Sequence, residues 1–264
     1  MKPVLRWVGS KRRYVKRLVA MAPKEYESYG ELFLGSGAML LGLGHRQRNF
    51  AADANRRLIN FWTYVSLHPT MVYQMFSVHV ANHSPEYFRS VRGQVHTGPE
   101  DAALFLYLNR ACWKGLYRVN KRGQFNVPPM TQTPTWPTEQ DLIDTHRTLC
   151  DATTFFAWDW KTALFGAVTL AQRPAFVFAD PPYDTSYAGY TEDGFGEKDQ
   201  IALGMALAGV AHDHHVMVCN LDTPLIRSLY AGWRRTELNP HVGRALRSGA
   251  KSYPEVVYTN YKPE

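Results

Sequence analysis

Asp180-Pro181-Pro182-Tyr183 stop the apolar run Phe176–Ala179 abruptly. Two adjacent prolines remove two backbone donors and fix φ, so this segment presents carbonyls outward. A carboxylate beside a proline carbonyl supplies two acceptors in a fixed frame, and the tyrosine adds an aromatic face. That set suits a planar ring bearing an NH2 group: the acceptors take both N–H donors and the ring stacks. An exocyclic aromatic amine is a poor nucleophile, because its lone pair is delocalised into the ring. Hydrogen bonds from its two N–H groups to Asp180 and the Pro181 carbonyl favour a pyramidal nitrogen with a localised lone pair, which is orientational and electrostatic catalysis. The competing reading, an ordinary strand end with a proline turn, accounts for fewer of these residues together.

A second constellation lies upstream. In Glu31-Leu32-Phe33-Leu34-Gly35-Ser36-Gly37 a strand pattern runs into a Gly-x-Gly turn and then an apolar helical stretch. Such glycines let backbone approach a ligand closely, although a plain strand-to-helix turn needs them equally. About sixteen residues on, Asp53 ends the next strand pattern, where an acid can accept both hydroxyls of a ribose. Leu40 stands where a dinucleotide fingerprint would carry its third glycine, and no Gly-Lys-Ser/Thr follows. An adenosine-type ligand without a pyrophosphate therefore fits better than NAD or ATP.

The elements that must position these residues alternate. Strand patterns occur at the start of 27–44, at 48–55, 153–160, 175–180, 214–220 and 255–261, with a helix predicted over 198–212. From Arg56 to about Thr148 the apolar spacing becomes helical, interrupted by Val127–Pro137, whose prolines demand a loop. The chain thus reads as α/β: a doubly wound sheet with an inserted, mostly helical subdomain. The predicted boundaries are 1–55 and 149–264 for the sheet domain and 56–148 for the insert. In open α/β sheets the ligand lies at the carboxyl ends of the strands, and Phe33–Gly37, Asp53 and Asp180 all fall at predicted strand ends.

Composition sets the remaining bounds. The 264 residues are 45% hydrophobic, enough for one large domain with an insert. No apolar run approaches the ~20 residues of a spanning helix, and no apolar signal core follows the charged N-terminus, so a soluble, cytoplasmic protein with no membrane partner is expected. Cys112, Cys150 and Cys219 are scattered, as suits a reducing compartment, and show no metal-ligand spacing. His212-Asp213-His214-His215 lies at a helix-to-strand junction without convergent ligands and reads as a solvated turn, so no metal is expected. The net charge of +7 favours a polyanionic partner. It concentrates in Arg6–Arg17 and in Arg110–Arg122, where Trp113, Gly115 and Tyr117 interrupt the basic residues and point to nucleic acid rather than a plain helix face.

Taken in order, these motifs resemble the Dam-type (alpha group, D12 class) S-adenosylmethionine-dependent DNA adenine-N6 methyltransferases. Leu5-Arg6-Trp7-Val8-Gly9-Ser10-Lys11 resembles the family's W-x-G-G-K, with Ser10 for one glycine; Glu31–Ala38 resembles E-P-F-x-G-x-G, with Leu32 for proline. Residues 106–128, "LYLNRACWKGLYRVNKRGQFNVP", resemble L-N-R-x-x-x-N-G-x-x-R-x-N-x-x-G-x-F-N-V-P. The Asp-Pro-Pro-Tyr tetrapeptide, "YTEDGF", "NLDTPLIRSLY" and a closing "TNY" complete a resemblance over nearly the whole chain.

The resemblance implies a Rossmann-like methyltransferase fold with a target-recognition insert. It implies S-adenosyl-L-methionine as cofactor, S-adenosylhomocysteine as product and double-stranded DNA as partner. Trp7 and Lys11 would meet the cofactor's methionine end, Phe33, Gly35, Ser36 and Gly37 its cradle, Asp53 its ribose and Trp160 its adenine. Asp180, which also borders the cofactor, would hold the target base with Pro181, Pro182 and Tyr183. That base must leave the duplex to be reached. Arg110, Trp113, Lys114, Arg118, Asn120, Asn126 and Pro128 would contact DNA, and Arg118 suits guanine O6 and N7. Apart from the resemblance, residues 244–255 read as a loop near the C-terminal strands, whose Arg244 and Arg247 either touch phosphate or are only solvated. The enzyme would act as a monomer in a bacterial cytoplasm, or in that of a phage host.

The chain departs from the pattern in the recognition segment. Lys114 replaces an asparagine, and Pro129–Pro134 replaces a base-reading arginine segment, so altered or relaxed specificity relative to GATC is expected. Cytosine-N4 transfer needs the same amine chemistry but more often carries Ser in place of Asp180. A glutamine methyltransferase would carry Asn there without a basic insert. A catalytically silent DNA-binding relative would show a broken motif.

Overall fold

The computed structural model describes residues 3–44, 48–149, 152–169, 173–183, 195–238, 244–245 and 252–263. Its strands are β1 (Ser28–Glu31), β2 (Arg48–Ala52), β3 (Thr153–Phe156), β4 (Ala175–Ala179), β5 (His215–Leu221), β6 (Arg234–Glu237), β7 (Arg244–Ala245), β8 (Ser252–Tyr253) and β9 (Glu255–Thr259). The helices are α1 (Val15–Ala20), α2 (Ala38–Leu43), α3 (Arg56–Leu67), α4 (Pro69–Ala81), α5 (Pro85–Val91), α6 (Gly98–Ala111), α7 (Glu139–Leu149), α8 (Trp160–Thr169), α9 (Glu197–Val210) and α10 (Pro224–Leu229).

A seven-stranded sheet runs in the order β3-β2-β1-β4-β5-β9-β6, with β7 and β8 forming a separate pair. β1 pairs in parallel with β2 and β4, and β4 with β5. β9 is antiparallel to both β5 and β6. The strand order reverses between β1 and β4, the kind of switch point at which doubly wound sheets open a crevice at their carboxyl ends. The fold is therefore the α/β, Rossmann-like arrangement expected from the strand and helix patterns. β1, β4 and β9 are buried along their whole length. Strands covered on both faces favour continuous apolar runs rather than alternation, as in "AFVFA" of β4.

The chain divides into two compact units. One comprises Met1–Val15, Gly35–Arg46 and Asp53–Ala157. Its helical core packs Leu58, Phe61, Trp62 and Val65 of α3 with Val72 and Phe76 of α4 and Leu104, Tyr107 and Leu108 of α6, all at most 1% exposed. The Asn55 side chain caps α3 by accepting from the amides of Arg57 and Leu58. Arg57 then reaches the buried Asp101 of α6 through Nε and Nη2, at 3.1 and 2.7 Å. The proline-rich segment 127–137 is a loop, as its composition requires.

The other unit comprises Lys16–Leu34, Gln47–Ala52 and Trp158–Glu264. It holds β1, β2, β4, β5, β6 and β9 with α8, α9 and α10. The strand expected over 153–160 stops at Phe156. The Asp159 carboxylate accepts from the amides of Lys161 and Thr162 at 2.9 and 3.2 Å and starts α8 there. An N-cap acid overrides the β-prone aromatics around it.

Candidate functional site

Within the first unit the N-terminal strip and the Gly-x-Gly turn are joined. Gly35 takes φ +46°, and a Cβ on it would lie 2.9 Å from Cδ1 of Trp7, so only glycine lets the turn sit against that indole. The Trp62 indole donates to the Gly35 carbonyl at 3.0 Å, and the Gly35 amide donates to Asp53 Oδ2 at 3.0 Å. Asp53 Oδ1 accepts from the Asn55 amide at 3.0 Å. Burial raises the pKa of Asp53, and the amide bonds from Asn55 and Gly35 oppose that rise. The carboxylate keeps further lone pairs for hydroxyl donors.

Ser10, the departure from the family's glycine, places its hydroxyl 2.6 Å from that of Ser36 in the turn. Lys11 is 3% exposed, and its Nζ donates to the Gly9 carbonyl at 2.9 Å. Trp7, Lys11, Gly35, Ser36, Gly37 and Asp53 thus belong to one unit. They combine a buried ammonium, a carboxylate, an indole and a tightly approached backbone. That donor set fits a zwitterionic amino acid joined to a ribose.

The same unit carries residues 106–128, the segment expected to read DNA. Arg6 is clamped to Asn109 of α6: the Arg6 amide donates to Asn109 Oδ1 at 2.8 Å, and Asn109 Nδ2 donates to the Arg6 carbonyl at 2.7 Å. A Cβ on Gly115 would lie 2.4 Å from Cβ of Arg6, at φ +66°, so the turn after Trp113 requires glycine. Trp113 is 45% exposed, and the Lys114 ammonium sits 4.5 Å from its ring centroid. Lys114 holds φ 55° and ψ 15°, left-handed backbone that asparagine tolerates better than lysine.

Arg118 is exposed, and it donates to Asn126 twice, from Nε to Oδ1 at 2.7 Å and from Nη2 to the carbonyl at 3.5 Å, which orients the guanidinium. Asn120 instead builds its own turn, Oδ1 accepting from the amides of Arg122 and Gln124 at 2.9 and 3.0 Å. The Pro128 carbonyl receives the Trp113 amide at 2.9 Å. Arg110 is braced internally, its guanidinium donating to the carbonyls of Thr135 and Val4. Burial, and then the charges of Arg6 and Arg12, pull its pKa down to about 10.

The tetrapeptide lies in the second unit. Asp180 directly follows β4, and the Leu32 amide just after β1 donates to the Phe178 carbonyl at 3.1 Å. Asp180 and Phe33 therefore emerge at the carboxyl ends of adjacent parallel strands at the switch point. Phe33 meets Phe195 edge-on at 5.7 Å. Asp180 is partly exposed and Pro181 buried. Tyr183 is 7% exposed and donates its hydroxyl to Glu255 Oε1 at 3.1 Å. Burial, with the charges of Asp180 and Glu255, holds its pKa well above the ordinary tyrosine value. The Pro182 carbonyl accepts from Gln200 Nε2 at 2.8 Å. Trp160 opens α8 in this unit, with the Lys161 ammonium 5.6 Å from its ring centroid.

Several supporting residues escaped the sequence reading: Gln200, Asn220 and Glu255 around the tetrapeptide, and Asn109 beside the N-terminal strip. Their signal was a polar residue inside an apolar element, which is weak in any single case. His214 accepts the Ala175 amide at Nδ1, 3.1 Å, and so braces the start of β4. Among the described residues no group of His, Cys, Asp and Glu side chains is arranged to hold a metal, and no helix is long and apolar enough to cross a membrane. "YTEDGF" apart from Phe195, Cys150, Arg247 and the side chain of Arg244 lie outside what is described.

The chain is similar throughout its length to known enzymes. It is 29% identical to the Type II methyltransferase M1.LlaDCHI of Lactococcus lactis subsp. cremoris, over 99% of this chain and 96% of that protein. It is 30% identical to the Retron Ec67 DNA adenine methylase of Escherichia coli, over 97% of this chain and 90% of that one. It is likewise 30% identical to a DNA adenine methylase of Vibrio cholerae, over 86% and 84%. Residues 7–244 match the family described as D12 class N6 adenine-specific DNA methyltransferase. The chain belongs to that family, and is an adenine-specific DNA methyltransferase.

Proposed function

We propose that this enzyme transfers the methyl of S-adenosyl-L-methionine to the N6 amine of an adenine flipped out of duplex DNA, with Asp180 and the Pro181 carbonyl accepting hydrogen bonds from its two N–H groups. The observation that carries the reading is the emergence of Asp180-Pro181 at the carboxyl end of β4 beside that of β1, where the strand order reverses.

When bound, the cofactor would supply an electrophilic sulfonium methyl and be left as S-adenosylhomocysteine, the methylated nitrogen releasing one proton to solvent. The chain's own residues do the rest. Lys11 would neutralise the carboxylate of the methionine end, Asp53 would accept from the ribose hydroxyls, and the Gly35–Gly37 backbone would admit the nucleoside closely. Trp7 would lie along the methionine end, Phe33 would border the cradle, and Trp160 would lie against the adenine.

Asp180 and Pro181 would turn the amine lone pair out of conjugation and hold it in line, which is catalysis by orientation and charge placement. Tyr183, pinned at its hydroxyl by Glu255, would present a ring face to the base. Unstacking and unpairing the base costs a few kcal/mol. Trp113 with Lys114, at an exposed turn, would fill the vacated space. Arg118, oriented by Asn126, would read guanine, and Asn120 and Pro128 would shape the segment that does so. The boundaries 1–55 with 149–264 for catalysis and 56–148 for target recognition belong to the same reading, as does action wherever the target DNA lies, in a bacterial or phage-infected cytoplasm.

Expression in a methylation-free host, followed by modification-sensitive sequencing of the host DNA, tests the proposal. It should reveal N6-methyladenine in a defined context containing guanine. Modified cytosine in place of adenine would overturn it.

A further inference from the structure

We infer that Gln200 and Asn220 are positioning residues for methyl transfer, a buried amide relay that fixes the Pro182 carbonyl and through it the acceptor pair Asp180 and Pro181. The inference rests on the reading of Asp180–Tyr183 as the amine-receiving site.

The need for a relay follows from the prolines. Pro181 and Pro182 have no N–H, so the segment cannot be fixed by the backbone donors that anchor an ordinary loop. Donors reaching its carbonyls from elsewhere in the fold can hold it instead. Gln200 Nε2 donates to the Pro182 carbonyl at 2.8 Å. Asn220 Nδ2 donates to Gln200 Oε1 at 3.0 Å, and Asn220 Oδ1 accepts from the Leu221 amide at 2.8 Å.

The direction of this chain has one solution. The Pro182 carbonyl can only accept, so Gln200 must turn its NH2 toward it and its oxygen toward Asn220. At the far end the Leu221 amide can only donate, so Asn220 must face it with oxygen. Flipping either amide would oppose like groups at both of its ends. Both side chains are fully buried, at 0% exposure, where a mismatched polar contact is costly. An apolar pair would fill the same space between α9 and β5. What the amides add is one fixed setting of the Pro182 carbonyl, one peptide unit beyond the proposed Pro181 acceptor. The Tyr183 hydroxyl on Glu255, at 3.1 Å, supplies the second anchor.

The test compares Gln200→Glu with Gln200→Leu by single-turnover methyl transfer across pH, alongside Asp180→Ala. An ionised glutamate cannot donate to Pro182. A protonated one donates its hydroxyl to Pro182 and accepts from Asn220, which restores the relay's polarity. At pH 8 both Gln200 variants should transfer roughly 10- to 100-fold more slowly than the wild type, with cofactor and DNA dissociation constants unchanged. As the pH falls, Gln200→Glu should recover relative to wild type, through a carboxyl whose burial raises its pKa above the usual ~4.3. Gln200→Leu should stay slow throughout. Asn220→Ser, a smaller change, should also slow transfer and serves if the Gln200 variants fail to fold. Folded variants that keep the wild-type rate, or a Gln200→Glu deficit with no pH dependence of its own, would overturn the relay while Asp180→Ala remains dead. Turnover by Asp180→Ala would instead overturn the site on which the relay rests.

Discussion

Trp7 stacks on Tyr117, ring centroids 6.0 Å apart and planes 25° from parallel. This contact joins the strip proposed to bind the cofactor's methionine end to the segment proposed to read DNA, since Arg118 is the next residue. The Arg6–Asn109 clamp and the close approach of Gly115 to Arg6 lock the same two stretches together. A change in one is therefore transmitted to the other through rigid contacts.

Removing the stack should loosen the cofactor. Aromatic pairs contribute about 0.5–1.5 kcal/mol beyond simple burial, so Tyr117→Ala should weaken S-adenosylmethionine binding roughly 2- to 10-fold, as measured by calorimetric titration. Tyr117→Phe keeps the stack and should bind as the wild type does.

Lys114 sits in left-handed backbone at φ 55°. For a side chain with an unbranched stem that conformation costs on the order of 1 kcal/mol. Lys114→Asn should therefore raise stability by about 1 kcal/mol in urea unfolding. It should also lower DNA affinity and flatten the salt dependence of binding, because the proposed phosphate or base contact would be lost. A variant that is more stable yet unchanged in DNA binding would show the lysine to be a bystander.

Asp222, fully buried, gathers Arg227 Nη2 at 2.6 Å, Arg235 Nε at 3.0 Å and the Tyr258 hydroxyl at 2.9 Å. Burial alone would raise its pKa, but the hydrogen bonds from Arg227, Arg235 and Tyr258 outweigh it and hold the group far below the ordinary carboxylate value. A depressed folded pKa means stability that is present above the unfolded value and lost as pH falls through the folded one. Asp222→Asn should lower the thermal midpoint at pH 7, and its difference from wild type should shrink as the pH drops below about 4.

His79 and His83 couple acid to the helical unit. Each Nδ1 pairs with a tyrosine hydroxyl, Tyr87 at 2.7 Å and Tyr107 at 2.9 Å, and burial lowers both pKa values. Neutral imidazole is thus favoured in the fold, so stability is full above the unfolded value of about 6.5 and declines as the pH falls below it. Replacing both with Gln should flatten unfolding free energy between pH 7 and 5; an unchanged slope would assign the acid sensitivity elsewhere.

Much of this architecture was legible because buried strands leave largely apolar runs: β4 and β5 lie where such runs lie, and β1, β2 and β9 fall within stretches that read as strands. β6 was invisible, since Arg234–Glu237 is a polar edge strand with two exposed residues and takes its conformation from pairing with β9. Asp159 was misleading in its aromatic surroundings, because one side-chain cap decided helix over strand. At the site, the tetrapeptide was legible from its odd chemistry. Gln200 and Asn220 were not, for a single amide within an apolar helix or strand resembles any surface position until burial and partners are known.

The most direct test of the central claim is methyl transfer from labelled S-adenosylmethionine to unmodified duplex DNA, digested to nucleosides and resolved, with wild-type protein and Asp180→Ala in parallel. Label should appear in N6-methyldeoxyadenosine with the wild type and be absent with Asp180→Ala, which should still bind DNA. Label in N4-methyldeoxycytidine, or continued transfer by Asp180→Ala, would contradict it.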